Sequence, residues 1–217
     1  ALAGVTNNAT YQDTGFVLHT TNGGTNWFTL LTKPSFTFYT IAIVDSFIGY
    51  IGCDSLFGTP PFTIASPRFY KTTNGGINWI NIPLIPNMAI NDMQFLNRDS
   101  AWECGLSAGP DVRTTTDGGL TWTARTNCFT TGGTSKVFFI NYNTGWCGAG
   151  WLYRTTNAGL NWALNAQFVE NVKSIYFINE STGWVGYDGY KIRYTSNGGT
   201  NWVAQTLPSL FGTPIYD

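Results

Sequence analysis

One eight-residue motif recurs five times along the chain: TTNGGTNW (20–27), TTNGGINW (72–79), TTDGGLTW (115–122), TTNAGLNW (155–162) and TSNGGTNW (195–202). Its tryptophans, Trp27, Trp79, Trp122, Trp162 and Trp202, are separated by 52, 43, 40 and 40 residues. A period of about 40 to 45 residues is the length of one four-stranded propeller blade, a unit that buries its apolar faces only against its neighbours.

A second motif runs in step with the first. FINYNTGWCG (139–148) and FINESTGWVG (177–186) are close copies, and FLNRDSAWECG (95–105) and IVDSFIGYIGC (43–53) are looser ones. Each unit reads as four short β segments bounded by Gly, Asn, Asp or Thr. SIYFINE, TGWVG, KIRYTS and NWVAQTL show the pattern in the last unit. No stretch holds a 3.6-residue apolar period, so no long helix is expected.

The eight-residue motif falls between third and fourth strands and has the chemistry of a hairpin turn. Asn22, Asn74, Asp117, Asn157 and Asn197 are placed to accept backbone N–H groups, and Thr20 to bond the turn backbone. Paired glycines permit positive φ. Ala158 stands where the other copies have the first glycine, which predicts no need for positive φ there. Each tryptophan offers a large apolar face to a neighbouring sheet. Five equal copies fit an architectural clamp, because catalysis needs one asymmetric constellation.

The pattern Ser/Thr-x-Asp/Asn-x-Gly-x-Thr/Asn-Trp resembles the Asp-box, or bacterial neuraminidase repeat. Its pairing with an upstream Phe-x-Asn/Asp-x-x-x-Gly-Trp-x-Gly is most similar to the photosystem II stability/assembly-factor propellers and their secreted bacterial relatives. The resemblance covers nearly the whole chain and implies a β-propeller; function does not follow from fold. In the photosystem-type propellers, seven blades are typical and arginines near the box help to form a partner-binding patch. Here Lys71 and Arg154 immediately precede their boxes, whereas Arg113 and Arg193 stand one position earlier. Alternate strand positions face opposite sides, so these four cannot line one face.

The first repeat lacks its upstream half, with only ALAG (1–4) where GWCG would stand, and TPIYD at the end resembles a further first strand. The expected fold is therefore an all-β propeller of about five four-stranded blades, the fifth closed by the N- and C-terminal strands, or else an arc of a larger propeller. The chain is expected to be one domain over 1–217. Its repeats fall at 1–31 plus 212–217, 36–84, 88–127, 134–167 and 171–207. With no initiator Met and no signal peptide, Ala1 reads as the edge of a mature or partial segment.

Composition narrows the function classes. Aromatic residues make up 16% and charged residues 11%, which fits a heavily packed β structure rather than a disordered chain. A net charge of −1 lacks the basic footprint of a nucleic-acid binder. No apolar run reaches the about 18 residues of a transmembrane helix. The few charges point to an extracellular, cell-surface or periplasmic setting in a bacterium.

No catalytic, cofactor or metal signature stands out. The single histidine, His19, has no zinc-type partner spacing and reads as a strand residue. A sialidase needs converging arginines with a Tyr–Glu pair and an acid, and the six arginines show no such context. The four cysteines read as buried thiols in a β core; a single bridge, if formed, is expected between Cys104 and Cys128. Asn8 and Asn179 fit the N-glycosylation pattern, and Ser55 and Ser100 sit in short O-glycosylation-like signals of secreted Bacteroidetes proteins.

The variable connections LTKPSF (31–36), DSLFGTPPFTIASP (54–67), NIPLIPN (81–87), RTNCFTTGGTSK (125–136) and LPSLFGTP (207–214) belong on the rim opposite the boxes. They are apolar and poor in charge, which marks Phe57, Phe62, Phe129 and Phe211 as a candidate contact surface for another protein or another copy of the chain. The leading expectation is a non-catalytic, secreted or surface-exposed binding and assembly module without cofactor. The alternatives are a carbohydrate-active propeller, as glycosidase relative or lectin, and an assembly factor for a membrane protein complex.

Overall fold

The computed structural model describes residues 2–7, 14–57, 64–82, 90–105, 112–125, 136–148, 150–168, 171–189 and 191–205. They form five antiparallel sheets, one of three strands and four of four strands, each built from strands consecutive in the chain. The first sheet holds β1 (Leu2–Asn7), β2 (Thr14–His19) and β3 (Phe28–Pro34). The second holds β4 (Phe36–Ile43), β5 (Gly49–Phe57), β6 (Ile64–Thr72) and β7 (Ile80–Ile82). The third holds β8 (Asp92–Phe95), β9 (Ala101–Cys104), β10 (Val112–Thr115) and β11 (Thr123–Ala124). The fourth holds β12 (Lys136–Phe139), β13 (Gly145–Gly148), β14 (Trp151–Thr155) and β15 (Ala163–Gln167). The fifth holds β16 (Val172–Phe177), β17 (Gly183–Tyr187), β18 (Lys191–Thr195) and β19 (Val203–Gln205).

This is the all-β, propeller-like fold that the repeat period implies. The first strands β4, β8, β12 and β16 pack on one another in chain order, and β4 packs on β1 and β2. Middle strands are covered on both faces by neighbouring sheets. AWEC (101–104), VRTT (112–115) and GWCG (145–148) are therefore buried at every position instead of alternating. Outer strands are short and exposed, as in β11 and β19, which limits the unpaired edge offered to other chains.

Four apolar clusters fill the spaces between consecutive sheets. Val17 meets Ile51, Cys53 and Tyr70 between the first and second sheets. Tyr50 and Phe69 meet Ile90 and Met93 between the second and third. Trp102 and Val112 meet Val137, Phe139 and Tyr153 between the third and fourth. Trp146 and Leu152 meet Val172, Ile175 and Phe177 between the fourth and fifth.

Two connections differ from expectation. The stretch 31–36 is strand, not loop: β3 runs to Pro34 and β4 begins at Phe36, with Ser35 turning the chain at φ 62°. Of 54–67, residues 54–57 and 64–67 extend β5 and β6 into a long hairpin. Its nine-residue strands account for the 52-residue spacing of the first two tryptophans. Residues 212–217 lie outside the described residues. No described helix is long and apolar enough to cross a membrane.

Candidate functional site

The five box turns share one hydrogen-bond pattern. In the first, the Thr20 hydroxyl donates to Asn22 Oδ1 at 2.9 Å and accepts from the backbone N–H of Asn22 (3.3 Å) and Gly24 (3.0 Å). Asn22 Oδ1 also accepts from Asn26 N–H at 2.9 Å. The same set recurs at Thr72–Asn74, Thr115–Asp117, Thr155–Asn157 and Thr195–Asn197. Asp117 adds the Thr121 hydroxyl as a donor, and these donors, led by Thr121, hold its carboxyl at about 2.

Each box turn from the second sheet onward is pinned to another turn of its own sheet. The N–H groups of Gly75, Gly118, Ala158 and Gly198 donate to the carbonyls of Phe47, Asp99, Asn143 and Ser181 at 2.8–2.9 Å. Those carbonyls belong to the first-to-second-strand turns, which are themselves closed by Asp45, Asn97, Asn141 and Asn179 accepting two backbone N–H groups each. Both kinds of turn therefore form one rim. Ala158 departs from its expectation. It adopts φ 59°, matching the first glycine of the other boxes at 68–71°. The turn geometry is common to all five, and the fourth copy carries a methyl in the left-handed region.

The box tryptophans reach backward across the junctions. Trp79, Trp122, Trp162 and Trp202 each pack on the cluster shared with the preceding sheet, and Trp122 meets Phe69 edge-on at 6.0 Å. Trp27 belongs to the first sheet and is 44% exposed.

The basic residues near the boxes divide by direction. Lys71 Nζ donates to the Gly118 carbonyl of the next sheet at 3.2 Å. Arg154 pairs with Glu180 of the next sheet at 3.3 Å and lies 5.3 Å from the centre of the Trp146 ring. Arg113 instead turns toward Glu103 within its own sheet (3.6 Å), and Arg193 donates to the Tyr187 hydroxyl and lies over Phe168. These four side chains fasten the fold and do not converge on one patch.

The most unusual charged group, Glu103, carries no motif or spacing that marks it in the sequence. It stands where the other sheets have Ile51, Cys147 and Val185, and is 1% exposed. Neither carboxylate oxygen accepts a hydrogen bond among the described residues, and Arg113 at 3.6 Å is beyond hydrogen-bond reach. Burial outweighs the Arg113 charge and raises the carboxyl to about 8. A second buried acid, Asp54, accepts from the Tyr39 hydroxyl at 3.0 Å, and burial raises its pKa as well.

The cysteine expectation needs correction. Cys53 and Cys104 are buried thiols, while Cys147 is disulfide-bonded; Cys128 lies outside the described residues. A Cys104–Cys128 bridge is thus absent, and Cys104 is directed into the apolar cluster with Trp102 and Val137. Ser55, of the other O-glycosylation-like signal, is 3% exposed, and its hydroxyl donates to the Ser66 carbonyl across the β5–β6 hairpin. Ser100 is half-buried and Asn179 exposed in turns of the box rim; Asn8 lies outside the described residues. So do Phe62, Phe129 and Phe211, and of Phe57 only the backbone, in β5, is described. His19 ends β2 opposite Leu2 and Phe28. No cluster of His, Cys, Asp or Glu suited to a metal occurs among the described residues.

Exposed apolar side chains instead recur on the box rim. Ile77, Leu120 and Leu160 occupy the same turn position in three consecutive sheets and are 72%, 67% and 52% exposed. Phe47 and Tyr142, in the companion turns of the second and fourth sheets, are exposed beside them.

No family model matches the chain, and no curated protein matches it. Solved structures do. The GH74 enzyme of Niastella koreensis superposes with a TM-score of 0.68 at 14% identity, over 93% of this chain and 36% of its own. The GH74 xyloglucanase of Xanthomonas campestris gives 0.66 at 13%, over 93% and 37%. YCF48 bound to D1 peptide gives 0.48 at 17%, over 89% and 76%. The chain spans little more than a third of the two GH74 structures, and at such identities the likeness is one of fold: this chain is similar to propeller proteins in how its sheets are arranged.

Proposed function

We propose that the protein is a non-catalytic binding module that docks another protein through its box rim. The observation that carries this reading is the row Ile77, Leu120 and Leu160. A repeat fold needs no apolar residue at a turn tip, and three consecutive exposed ones give a contact surface. The disulfide at Cys147 supports an oxidising location, secreted or on the cell surface. The test compares immobilised wild type with the triple variant Ile77→Ser/Leu120→Ser/Leu160→Ser, using secreted and surface proteins of the source organism. A partner held by wild type and lost by a folded variant is expected. Equal retention by both would overturn the reading.

A carbohydrate-active propeller is the second reading. A polar cleft of ≈ 250 Å³ opens among the first strands, lined by Tyr39, Thr40, Asp92 and Lys136. Tyr39 is the extra residue of a β-bulge, a feature that re-aims a side chain, and the residue is 45% exposed. Such a ring beside a carboxylate and an ammonium suits a sugar. A glycan array and a panel of aryl glycosides test it, with binding lost in Tyr39→Ala as the expected result.

A further inference from the structure

Three of the five boxes hold an Asn-Gly pair: Asn22-Gly23, Asn74-Gly75 and Asn197-Gly198, in the near-identical contexts TTNGGT, TTNGGI and TSNGGT. Such a pair can react with itself. The glycine nitrogen attacks the asparagine side-chain carbonyl, and glycine has no side chain to hinder the approach. Each box turn favours half of this chemistry. Asn22 Oδ1 receives the Thr20 hydroxyl and the Asn26 N–H, both at 2.9 Å. Asn74 and Asn197 receive the equivalent pair at 2.9–3.0 Å. Two donors on one carbonyl oxygen stabilise the negative charge that gathers there when a nucleophile adds.

The other half, the attacking nitrogen, differs between the boxes. Gly75 N–H donates to the Phe47 carbonyl at 2.9 Å, and Gly198 N–H to the Ser181 carbonyl at 2.8 Å. A nitrogen so held must break that bond before it loses its proton and turns toward the side chain. Gly23 N–H makes no such bond among the described residues. Accessibility follows the same order: Gly23 is exposed, Gly75 half-buried and Gly198 buried. A Cβ on Gly75 would stand 3.0 Å from the Ser46 carbonyl oxygen, and one on Gly198 3.0 Å from that of Glu180.

We propose that Asn22 is a self-modifying site, converted to aspartate and isoaspartate within its own turn, while the pinned turns protect Asn74 and Asn197. The Gly23 nitrogen gives its proton to solvent base and forms a bond to Asn22 Cγ. The carbonyl electron pair moves onto Oδ1, between the Thr20 hydroxyl and the Asn26 N–H. That pair returns as the Cγ–Nδ2 bond breaks, and Nδ2 takes a proton and leaves as ammonia. The remaining succinimide ring adds water. Opening at Cγ gives aspartate, and opening at the Asn22 main-chain carbonyl gives isoaspartate, whose backbone is one atom longer. No oxidant or reductant is needed. A box accommodates the aspartate: Asp117 holds this place in the third, accepting the Thr115 hydroxyl at 2.7 Å and the Thr121 N–H at 2.9 Å. The result is a negative charge added to the box rim at one turn of the five.

The test is peptide mapping by mass spectrometry on the folded full chain held in mildly alkaline buffer, with isoaspartate resolved by chromatography. A hydrogen bond of ordinary net worth corresponds to about a tenfold difference in rate, so Asn22 is expected to convert about tenfold faster than Asn74 or Asn197. In urea, where no turn remains, the three are expected to convert alike. Asp45→Ala removes the carboxylate that closes the turn holding Gly75. In the folded variant, conversion at Asn74 is expected to rise while Asn197 stays slow. Equal rates at the three sites of the folded chain would show that pinning gives no protection. A difference that persists in urea would show that flanking sequence decides the rates. Either overturns the proposal, as does an unchanged Asn74 rate in folded Asp45→Ala.

Discussion

The box turns of the first and third sheets have almost the same internal bonds and very different surroundings. Thr20 and Asn22 make the contacts that Thr115 and Asp117 make, to within 0.2 Å for the shared set. Yet Trp122 rests on Phe69 of the preceding sheet, while Trp27 is 44% exposed. The turn is thus a local object, complete within eight residues. What differs is the junction, and the junction holds most of the buried area and so most of the stability.

The strongest way to break that comparison is through the junction's interior. Glu103 lies between the second and third sheets with its carboxyl raised to about 8 from an ordinary 4.5. Between those two values the folded chain keeps a proton that the unfolded chain has lost, so stability falls as pH rises, by about 1.4 kcal/mol per pH unit. The decline begins above the ordinary value and stops above the raised one. Glu103→Gln has no such proton and should show no such slope. Urea unfolding at pH 5 and at pH 8 is expected to open a gap of about 4 kcal/mol in favour of the variant. A wild type that gains stability over this range would show that Arg113 pairs closely with the ionised acid, and that the junction is electrostatic rather than apolar.

Next in size is the tryptophan pair. Trp122→Ala should cost about 3 kcal/mol, as for other truncations of packed aromatics. Trp27→Ala should cost under about 1 kcal/mol, in the range of surface changes. Thermal or urea melts of the two variants decide it. Equal costs would mean that Trp27 is covered by something outside the described residues.

Much of this was legible in the sequence because the relevant contacts are local. Thr20, Asn22 and the glycines bond one another within five residues, so residue type and spacing sufficed for the turn and its period for the fold. Glu103 was not legible, because a strand covered on both faces loses the alternation that separates core from surface positions. The Cys104 bridge failed for a related reason: which cysteine faces which neighbour depends on packing between sheets, and both Cys104 and Cys147 enter the same cluster. The hairpin at 54–67 was read as loop because its prolines and glycine hid the strand continuation. The exposed row on the box rim was present in the sequence as the variable sixth residue of the motif. It became meaningful only when Ile77, Leu120 and Leu160 proved to be exposed.

Glycine substitutions separate the cost of the turn from the cost of its docking. Gly23 and Gly118 share a left-handed backbone, at φ 69° and 68°. Around Gly23 nothing lies within 4 Å of an added Cβ, so Gly23→Ala should cost only the backbone penalty, about 1 kcal/mol. At Gly118 the same atom would stand 2.9 Å from the Arg98 carbonyl oxygen and 3.3 Å from the Tyr50 hydroxyl. Gly118→Ala is therefore expected to cost about 2–3 kcal/mol by chemical denaturation. If both alanines cost the same, the docking of the turn onto its companion contributes nothing.

Ala158→Gly should have the smallest effect, and its near-absence is informative. Relief of the left-handed backbone favours the variant by about 1–2 kcal/mol. Against it stands the greater freedom of an unfolded glycine, about 0.4–1 kcal/mol. The methyl also counts: Ala158 is 6% exposed within the cluster of Trp102 and Phe139, and a buried methyl is worth about 0.8 kcal/mol. The terms nearly cancel, and the expected change is within about 0.5 kcal/mol. This explains how one box of five tolerates alanine where its fellows have glycine: the methyl recovers in the junction what it loses in the turn. A gain above about 1 kcal/mol would mean that the methyl does not help the junction. A loss of that size would mean that it helps more than area alone accounts for, and would make the fourth sheet the one place where turn and junction depend on each other.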